Sequence, residues 1–324
     1  MNMKLYRAAP FSLLFSILMF PAAADEITQT KIPGKEVVKV REKIYSWGYV
    51  LDKVPTAAPF IFGKTRCSLE TATKYLGAGK TFYMNSMFNP DYIRKHFPET
   101  EQDCFDNCID NRLSDAHMKL LADIPEVYCT LEHGGRDKSA RKIAELSLKY
   151  KNIKGINLDD FNNGGPDTAM TPEELKQLRN LIRSINPELK IAIVTYSHFP
   201  VDRQIAPFAE YVDIVSRWCW VSSQDYWDNY EKDIKAVRKA LGPDKKIIQG
   251  IYIHDFGSNM KCRYPVPLEV FKKSIRTICR ASYDGLIDGF IIPQAGWFSA
   301  ETHFEHISWM KSYLTWFEET TTRR

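Results

Sequence analysis

One pattern recurs along almost the whole chain and constrains its fold more than any other feature. A short apolar run typical of a strand is followed by a polar or glycine-rich turn and then by a segment whose apolar residues have helical spacing. The strand-like runs lie at residues 43–51, 81–87, 126–131, 153–159, 190–196, 211–218, 246–254 and 287–294.

The segments between these runs have recognisable helix ends. Thr171-Pro172-Glu173-Glu174 combines a cap, a proline at the first helical position and a capping-box glutamate. Ser68 predicts another helix start, and Gly242-Pro243 predicts a helix end. Eight strands that alternate with helices over roughly 280 residues predict an α/β fold, the single-domain (β/α)8 or TIM barrel. A doubly wound open sheet is the alternative, but no G-x-G-x-x-G or P-loop follows the first strand to support it.

The N-terminus has the features of a secretory signal peptide. A basic start precedes an apolar run over residues 11–20, and small residues follow it. We therefore predict a signal peptide over residues 1–24, a polar leader over 25–40 and the barrel over 41–324, in a protein exported to the periplasm or beyond the cell. Nothing in the mature chain is long and apolar enough to span a membrane. The polar segment 89–113 is interpreted as an insertion on the rim that carries active-site loops.

Charge and cysteine content narrow the possible partners. The chain has 324 residues, with 44 basic and 40 acidic side chains interspersed along it, so no basic footprint for a nucleic acid is present. Seven cysteines allow disulfides but leave at least one thiol unpaired. Cys104 and Cys108 are close enough to bridge each other, whereas Cys129 and Cys219 lie in apolar strand patterns that predict buried thiols.

Candidate functional residues lie at the carboxyl ends of the predicted strands, where the catalytic groups of such barrels are found. They are carboxylates, amides, imidazoles and aromatic rings, which suit a carbohydrate because sugars need both ring faces and hydrogen-bonding partners. A cationic or glycine-rich cradle for phosphate is missing. The candidates are Glu132, His133, Asn157, Asp159, Asp160, Tyr196, His198, Trp218, Tyr252, His254, Asp255, Gln294 and Trp297.

Strand alternation predicts the direction of the key side chains. Ile156 and Leu158 share the face against the helices, so Asn157 and Asp159 should point into the barrel, with Asp160 on the following turn.

On the seventh strand the same rule points Tyr252 and His254 inward and places Asp255 on the turn. Trp218 and Trp220 are two residues apart, so their side chains point to the same side of the strand. One of them can then fill the barrel core while the outer one contacts a ligand. We choose Trp218 and Trp297 as stacking residues.

The stretch Gly155-Ile156-Asn157-Leu158-Asp159-Asp160-Phe161 resembles the fourth-strand signature of TIM-barrel glycoside hydrolases. The similarity is closest to O-GlcNAcase-type (family 84) enzymes, which use an adjacent Asp-Asp pair, and more distant to chitinase-like (family 18) barrels. The chitinase-like signature matches only at Gly155 and Asp159, which argues against chitinase chemistry. The resemblance implies that Asp159 orients a 2-acetamido group and that Asp160 is the general acid/base.

A second mechanism needs no acetamido group. It pairs an acid/base after strand four, Asp159 or Asp160, with Asp255 as nucleophile after strand seven, and the carboxyl separation decides retention or inversion.

The prediction from sequence is thus a glycoside hydrolase without a cofactor or a resident metal, acting on an oligosaccharide or polysaccharide. A metal-dependent hydrolase is a rival, because His133, His198 and His254 could converge with aspartates, although no H-x-H or H-E-x-x-H motif is present. The other rival interpretation is a non-catalytic carbohydrate-binding barrel.

Overall fold

Eight parallel strands close into a barrel, which confirms the predicted (β/α)8 fold. The computed structural model describes residues 36–37, 39–49, 51, 67–84, 113–131, 136–163, 169–256, 264–293 and 295–323. The described residues belong to one compact unit, Glu36–Arg324. The barrel strands are β1 Ile44–Gly48, β2 Lys80–Tyr83, β3 Glu126–Thr130, β4 Ile153–Leu158, β5 Lys190–Tyr196, β6 Ile214–Trp218, β7 Lys246–Gly250 and β8 Gly289–Ile292.

Helices connect the strands and cover the outside of the barrel. The α-helices are α1 Leu69–Leu76, α2 Asp115–Leu120, α3 Arg136–Lys149, α4 Pro172–Ile185, α5 Val201–Gln204, α6 Gln224–Asp228, α7 Tyr230–Leu241, α8 Leu268–Tyr283 and α9 Phe304–Thr320. Short 3-10 helices occupy Val40–Lys43, Ala206–Phe208, Ala295–Ser299 and Glu301–His303. A separate antiparallel pair joins Glu36–Val37, at the end of the predicted leader, to Thr322–Arg323. Among the described helices, none is both long and apolar enough to cross a bilayer.

The helix ends agree with the local sequence signals. The Glu174 backbone N–H donates to the Thr171 hydroxyl at 3.2 Å, and the Thr171 backbone N–H donates to the Glu174 carboxylate at 2.6 Å. This reciprocal capping box satisfies two N–H groups that a helix start otherwise leaves without partners. Ser68 caps α1, whose end at Gly77 has a left-handed backbone, and α7 stops at Gly242.

Two apolar layers stabilise the fold. The outer layer lies between strands and helices and includes Ile156 and Leu158 of β4. The inner layer fills the barrel with aromatic rings: Phe82 stacks on Tyr128 with 5.1 Å between ring centroids, and Tyr45 lies 5.5 Å from Phe82. These rings fill the barrel interior among the described residues.

One glycine is required by this inner packing. A Cβ atom on Gly250 would lie 2.0 Å from the Trp218 ring atom Cδ2, so any other residue at the end of β7 would collide with the indole. The absence of that side chain lets Trp218 lie flat across the barrel interior, where it is buried.

Several sequence predictions fall outside the described residues. These are the signal peptide over 1–24, the insertion over 89–112, the side chains of Glu132, His133 and Gln294, and the cysteines Cys104, Cys108 and Cys262. Cys129 and Cys219 are buried free thiols, as expected from their strand patterns. β7 ends at Gly250 rather than near residue 254, so Tyr252 and His254 lie on the segment that follows the strand.

Candidate active site

The end of β4 places the two adjacent aspartates on a tight turn. Asn157 is fully buried inside the barrel and donates from Nδ2 to the Thr130 hydroxyl at 3.1 Å, which confirms the predicted strand parity. Asp160 and Asn162 have φ angles of 48° and 51°, in the left-handed region that aspartate and asparagine tolerate better than most residues. Asn162 exchanges two hydrogen bonds with the Met170 backbone, at 3.0 Å and 2.7 Å, and these hold the turn.

The β4 turn is tied to the end of β5 through one buried amide. The Gln204 Nε2 donates to the Phe161 carbonyl at 3.0 Å, and its Oε1 accepts the Tyr196 backbone N–H at 3.1 Å. The Phe161 ring packs edge-on against Phe208 with 4.8 Å between centroids. Because Gln204 is buried, both of its bonds are shielded from water, and they hold the two strand ends together.

The hydrogen bonds of Gln204 to both strand ends bring a phenol and a carboxylate into direct contact. The Tyr196 hydroxyl donates a hydrogen bond to Asp160 Oδ1. Burial, the Tyr252 phenol and the charge of Asp160 raise the pKa of Tyr196 well above 10.0, so Tyr196 keeps its proton and remains a donor. We call this pair the Asp160–Tyr196 dyad.

Asp159 and Asp160 have different environments although they are neighbours in sequence. Burial, and then the negative charge of Asp160, raise the pKa of Asp159 well above 3.8, while the Asp160 backbone N–H donates to Asp159 and partly opposes the shift. The raised pKa favours the protonated form of Asp159 beside the carboxylate of Asp160. Two adjacent carboxyls in one site are thereby driven toward opposite roles.

A cavity of about 270 Å³ opens at this point of the rim. Its described lining consists of one carboxylate, one amide and four aromatic side chains: Asp160, Asn163, Tyr196, His198, Phe199 and Trp220. The His198 ring lies 5.5 Å from that of Tyr196, at an angle of 28°. Partial burial and the positive charge of Arg217 lower the pKa of His198, which favours its neutral form.

Arg217 lies behind the cavity, buried on the helix-facing side of β6. Its Nε and Nη2 donate to the Asp233 carboxylate at 3.0 and 2.8 Å, and its Nη1 donates to the Tyr196 carbonyl at 2.6 Å. A weaker bond of 3.4 Å reaches the Phe199 carbonyl. Arg217 therefore pairs with Asp233 and not with the Asp159–Asp160 pair.

The predicted site residues separate into two groups in space. Asp160, Tyr196 and His198 line the cavity. Tyr252 adjoins it, with its ring 5.6 Å from Trp220; burial, and then the charges of Asp160 and Asp159, raise the pKa of Tyr252 well above 10.0. Asp159 and Asn157 lie beneath, one beside Asp160 and the other in the barrel interior.

The remaining candidates among the described residues do not line the cavity. Trp218 fills the barrel core and donates from its indole N–H to the Ser216 hydroxyl at 3.1 Å, so it is not the stacking residue of the cavity. His254 stacks on Trp297 with 4.2 Å between centroids and lies 3.1 Å from His303, measured from Nδ1 to Nε2, in a buried cluster. Asp255 is not among the described residues that line the cavity.

Four lining or supporting residues were not among the candidates. Trp220 was recognised only as the alternative to Trp218, and its outer position on the shared parity is the signal that identifies it. Phe199 and Asn163 lie in turns without periodicity, and Gln204 lies in the one-turn helix α5. No sequence pattern distinguishes these last three. The described residues contain no group of His, Cys, Asp or Glu placed to hold a metal ion.

Comparisons with known proteins support the fold and contradict the predicted family. No protein-family model and no curated protein matches the sequence. Among solved structures, a ligand-free tryptophan synthase from M. tuberculosis has a TM-score of 0.51 at 10% identity, covering 86% of this chain and 94% of that one. A mutant tryptophan synthase alpha-subunit from Pyrococcus furiosus has a TM-score of 0.51 at 10% identity, covering 84% and 96%. At this identity the likeness shows the barrel fold alone.

The resemblance to glycoside hydrolases is therefore corrected. The barrels found are tryptophan synthase chains, and no family model supports the heptapeptide at the end of β4 as a glycosidase signature. The predicted glycoside hydrolase activity and its oligosaccharide or polysaccharide partner are wrong. The metal-hydrolase and carbohydrate-binding alternatives gain no support from these findings either. An adjacent Asp-Asp at a barrel strand end is a short pattern that unrelated chemistries can share.

Proposed function

We propose that this barrel is an enzyme of proton transfer, an isomerase or lyase in which the Asp160–Tyr196 dyad acts on a small organic substrate. The dyad is the observation that supports the proposal. A carboxylate that can accept a proton and a phenol that can donate a hydrogen bond meet on the wall of one cavity. The cavity lies at the carboxyl end of the strands, where the active sites of such barrels are found.

Each residue has a distinct role in the proposed reaction. A substrate C–H bond next to a carbonyl breaks, its proton passes to Asp160, and the electron pair moves onto the carbonyl oxygen. The proton then returns to a different substrate atom, or a leaving group departs. Tyr196 stabilises the developing oxyanion as a hydrogen-bond donor, because its raised pKa keeps the phenol protonated.

Asp159 is the supporting member of the acidic pair. Its raised pKa favours the neutral form, and Asp160 is the member of the pair that lines the cavity. The flat rings of Phe199 and Trp220 favour a substrate with a flat apolar portion.

The proposal is tested by proton exchange with solvent. The protein is incubated in D₂O with a panel of small ketones and aldehydes, half of them bearing an amino group, and loss of the α-proton signal is followed by NMR. We expect catalysed exchange on part of the panel. Asp160→Asn should lower the rate about a hundredfold or more, since general base catalysis contributes at least that much. Tyr196→Phe should lower it less, because the base remains.

The matched control is Asp202→Asn on α5. Asp202 is an exposed acid outside the described cavity lining, so this variant should exchange at the wild-type rate. Absence of exchange on every member of the panel, or an undiminished rate in Asp160→Asn, would refute the proposed function.

A further inference from the structure

We infer that the ligand of this cavity carries a positive charge on nitrogen, as a substituted ammonium group. This inference deepens the proposed function, because it names the class of substrate for the same site. It stands on three observations made on the described residues: carboxyls without an ion-pair partner, aromatic rings that line the cavity beside Asp160, and a cavity lining without lysine or arginine.

Among the described residues, the acidic pair has no cationic partner. In the part of the chain that the structure describes, neither Asp159 nor Asp160 takes part in an ion pair. The nearby cation Arg217 is occupied by Asp233, which it holds with two hydrogen bonds. A carboxylate that lines a cavity with one hydrogen bond and no cationic partner is incompletely compensated, and a ligand cation supplies the missing charge.

The aromatic rings around the cavity are the second feature that favours a bound cation. Trp220 stands at 89° to Tyr196 with 5.9 Å between centroids, and at 88° to Tyr252 with 5.6 Å between centroids. Trp220 and Tyr196 line the cavity together with the Asp160 carboxylate, so aromatic rings and one carboxylate border the same space. Aromatic side chains arranged in this way, together with a carboxylate, recognise alkylated ammonium groups, because the π-face is negative.

Anionic ligands fit this wall poorly. Among the described lining residues there is no lysine or arginine, and the lowered pKa of His198 keeps that ring from supplying a positive charge near neutral pH. Phosphate and carboxylate groups would also meet the charge of Asp160 directly. The volume of about 270 Å³ is at the small end for ligand cavities, which suits a compact amine.

The test compares two probes of equal shape and different charge. Choline and its neutral isostere 3,3-dimethylbutan-1-ol are titrated into the full-length protein near pH 7 by calorimetry. We expect choline to bind about tenfold more tightly, the ratio given by one desolvated cation–π contact. Trp220→Leu and Asp160→Asn should each abolish this preference, whereas Trp220→Phe, which keeps a ring face, should retain part of it.

Matched controls separate local from general effects. Trp316→Leu removes a half-exposed indole from α9, and Asp202→Asn removes an acid outside the described lining; both should retain the wild-type preference. Equal affinity for the two probes, tighter binding of the alcohol, or a preference that survives both cavity substitutions would overturn the inference.

The two proposals fail in different ways. Catalysed exchange on neutral and amino ketones alike would support proton transfer and refute the ammonium specificity. Choline selectivity without exchange on any substrate would support the cation site and refute the proton-transfer function.

Discussion

Replacement of Arg217 by methionine isolates the interaction that supports the floor of the cavity. The guanidinium is 1% exposed and makes two hydrogen bonds to Asp233 and two to backbone carbonyls of Tyr196 and Phe199. Methionine fills most of the same volume but supplies none of these donors. Arg217→Met therefore leaves the Asp233 carboxylate without its cationic partner and removes one of two donors to the Tyr196 carbonyl, which keeps the Phe199 backbone N–H at 3.0 Å.

The size of the effect follows from the burial of the pair. Removing one member of a buried ion pair costs about 3–5 kcal/mol, because the remaining charge is left without compensation. The Asp233 side chain is 20% exposed and keeps a 3.2 Å hydrogen bond from the Tyr226 hydroxyl, so we expect about 3 kcal/mol. The double variant Arg217→Met, Asp233→Leu should be more stable than the single variant, since it removes the orphaned charge.

Urea unfolding followed by circular dichroism and by tryptophan fluorescence measures these differences. Coincident transitions of the two signals establish two-state behaviour. The control is Arg280→Met, whose pair with Asp284 is exposed and 3.9 Å long, so its stability should change by no more than about 0.5 kcal/mol. An Arg217→Met variant as stable as the wild type, or a double variant less stable than the single one, would refute the reasoning.

Two further variants test the packing and the electrostatics of the strand ends. Gly250→Ala should destabilise the barrel by about 1–3 kcal/mol, because its Cβ would collide with the Trp218 indole. The control is Gly79→Ala, whose Cβ would meet only an ordinary contact at 3.8 Å. Equal thermal melting of the two variants would contradict the predicted collision. Asp159→Asn should gain stability relative to the wild type as the pH rises from about 4 to 8. The folded-state pKa of Asp159 is raised, so the wild type loses stability as the pH rises above the unfolded value of about 3.9, whereas asparagine does not titrate. If urea unfolding gave a stability difference between the two proteins that did not change with pH, it would count against the raised pKa.

The fold was predictable because its signals are local and repeated. A capping box such as Thr171 with Glu174 needs only four residues, and strand alternation at Ile156 and Leu158 needs only the preference of apolar side chains for the helix layer. Eight repetitions of such signals leave few architectures open. The end of β7 was placed too far along because the apolar run continues through Ile253, which packs in the outer layer without pairing in the sheet.

The site was predictable only where side-chain direction follows from strand parity. Asp160 and Tyr196 lie at the ends of adjacent strands, so their meeting follows from the barrel order. The burial of Trp218 depends on Gly250 of the neighbouring strand, and a contact between two strands cannot be read from either strand alone. The prediction that His254 belongs to the site failed because its ring stacks on Trp297, a contact that the sequence does not indicate.

The orientation of Tyr196 links these stability effects to the proposed chemistry. Its backbone N–H donates to Gln204 and its carbonyl accepts from Arg217, so side chains hold both polar groups of its peptide backbone at the end of β5. The phenol can then reach Asp160 only in the position that these two bonds allow. A loss of Arg217 should therefore slow proton exchange as well as lower stability, while Asp160 itself is unchanged. The geometry of the Asp160–Tyr196 dyad thus depends on Gln204 and Arg217, which are not among the described residues that line the cavity.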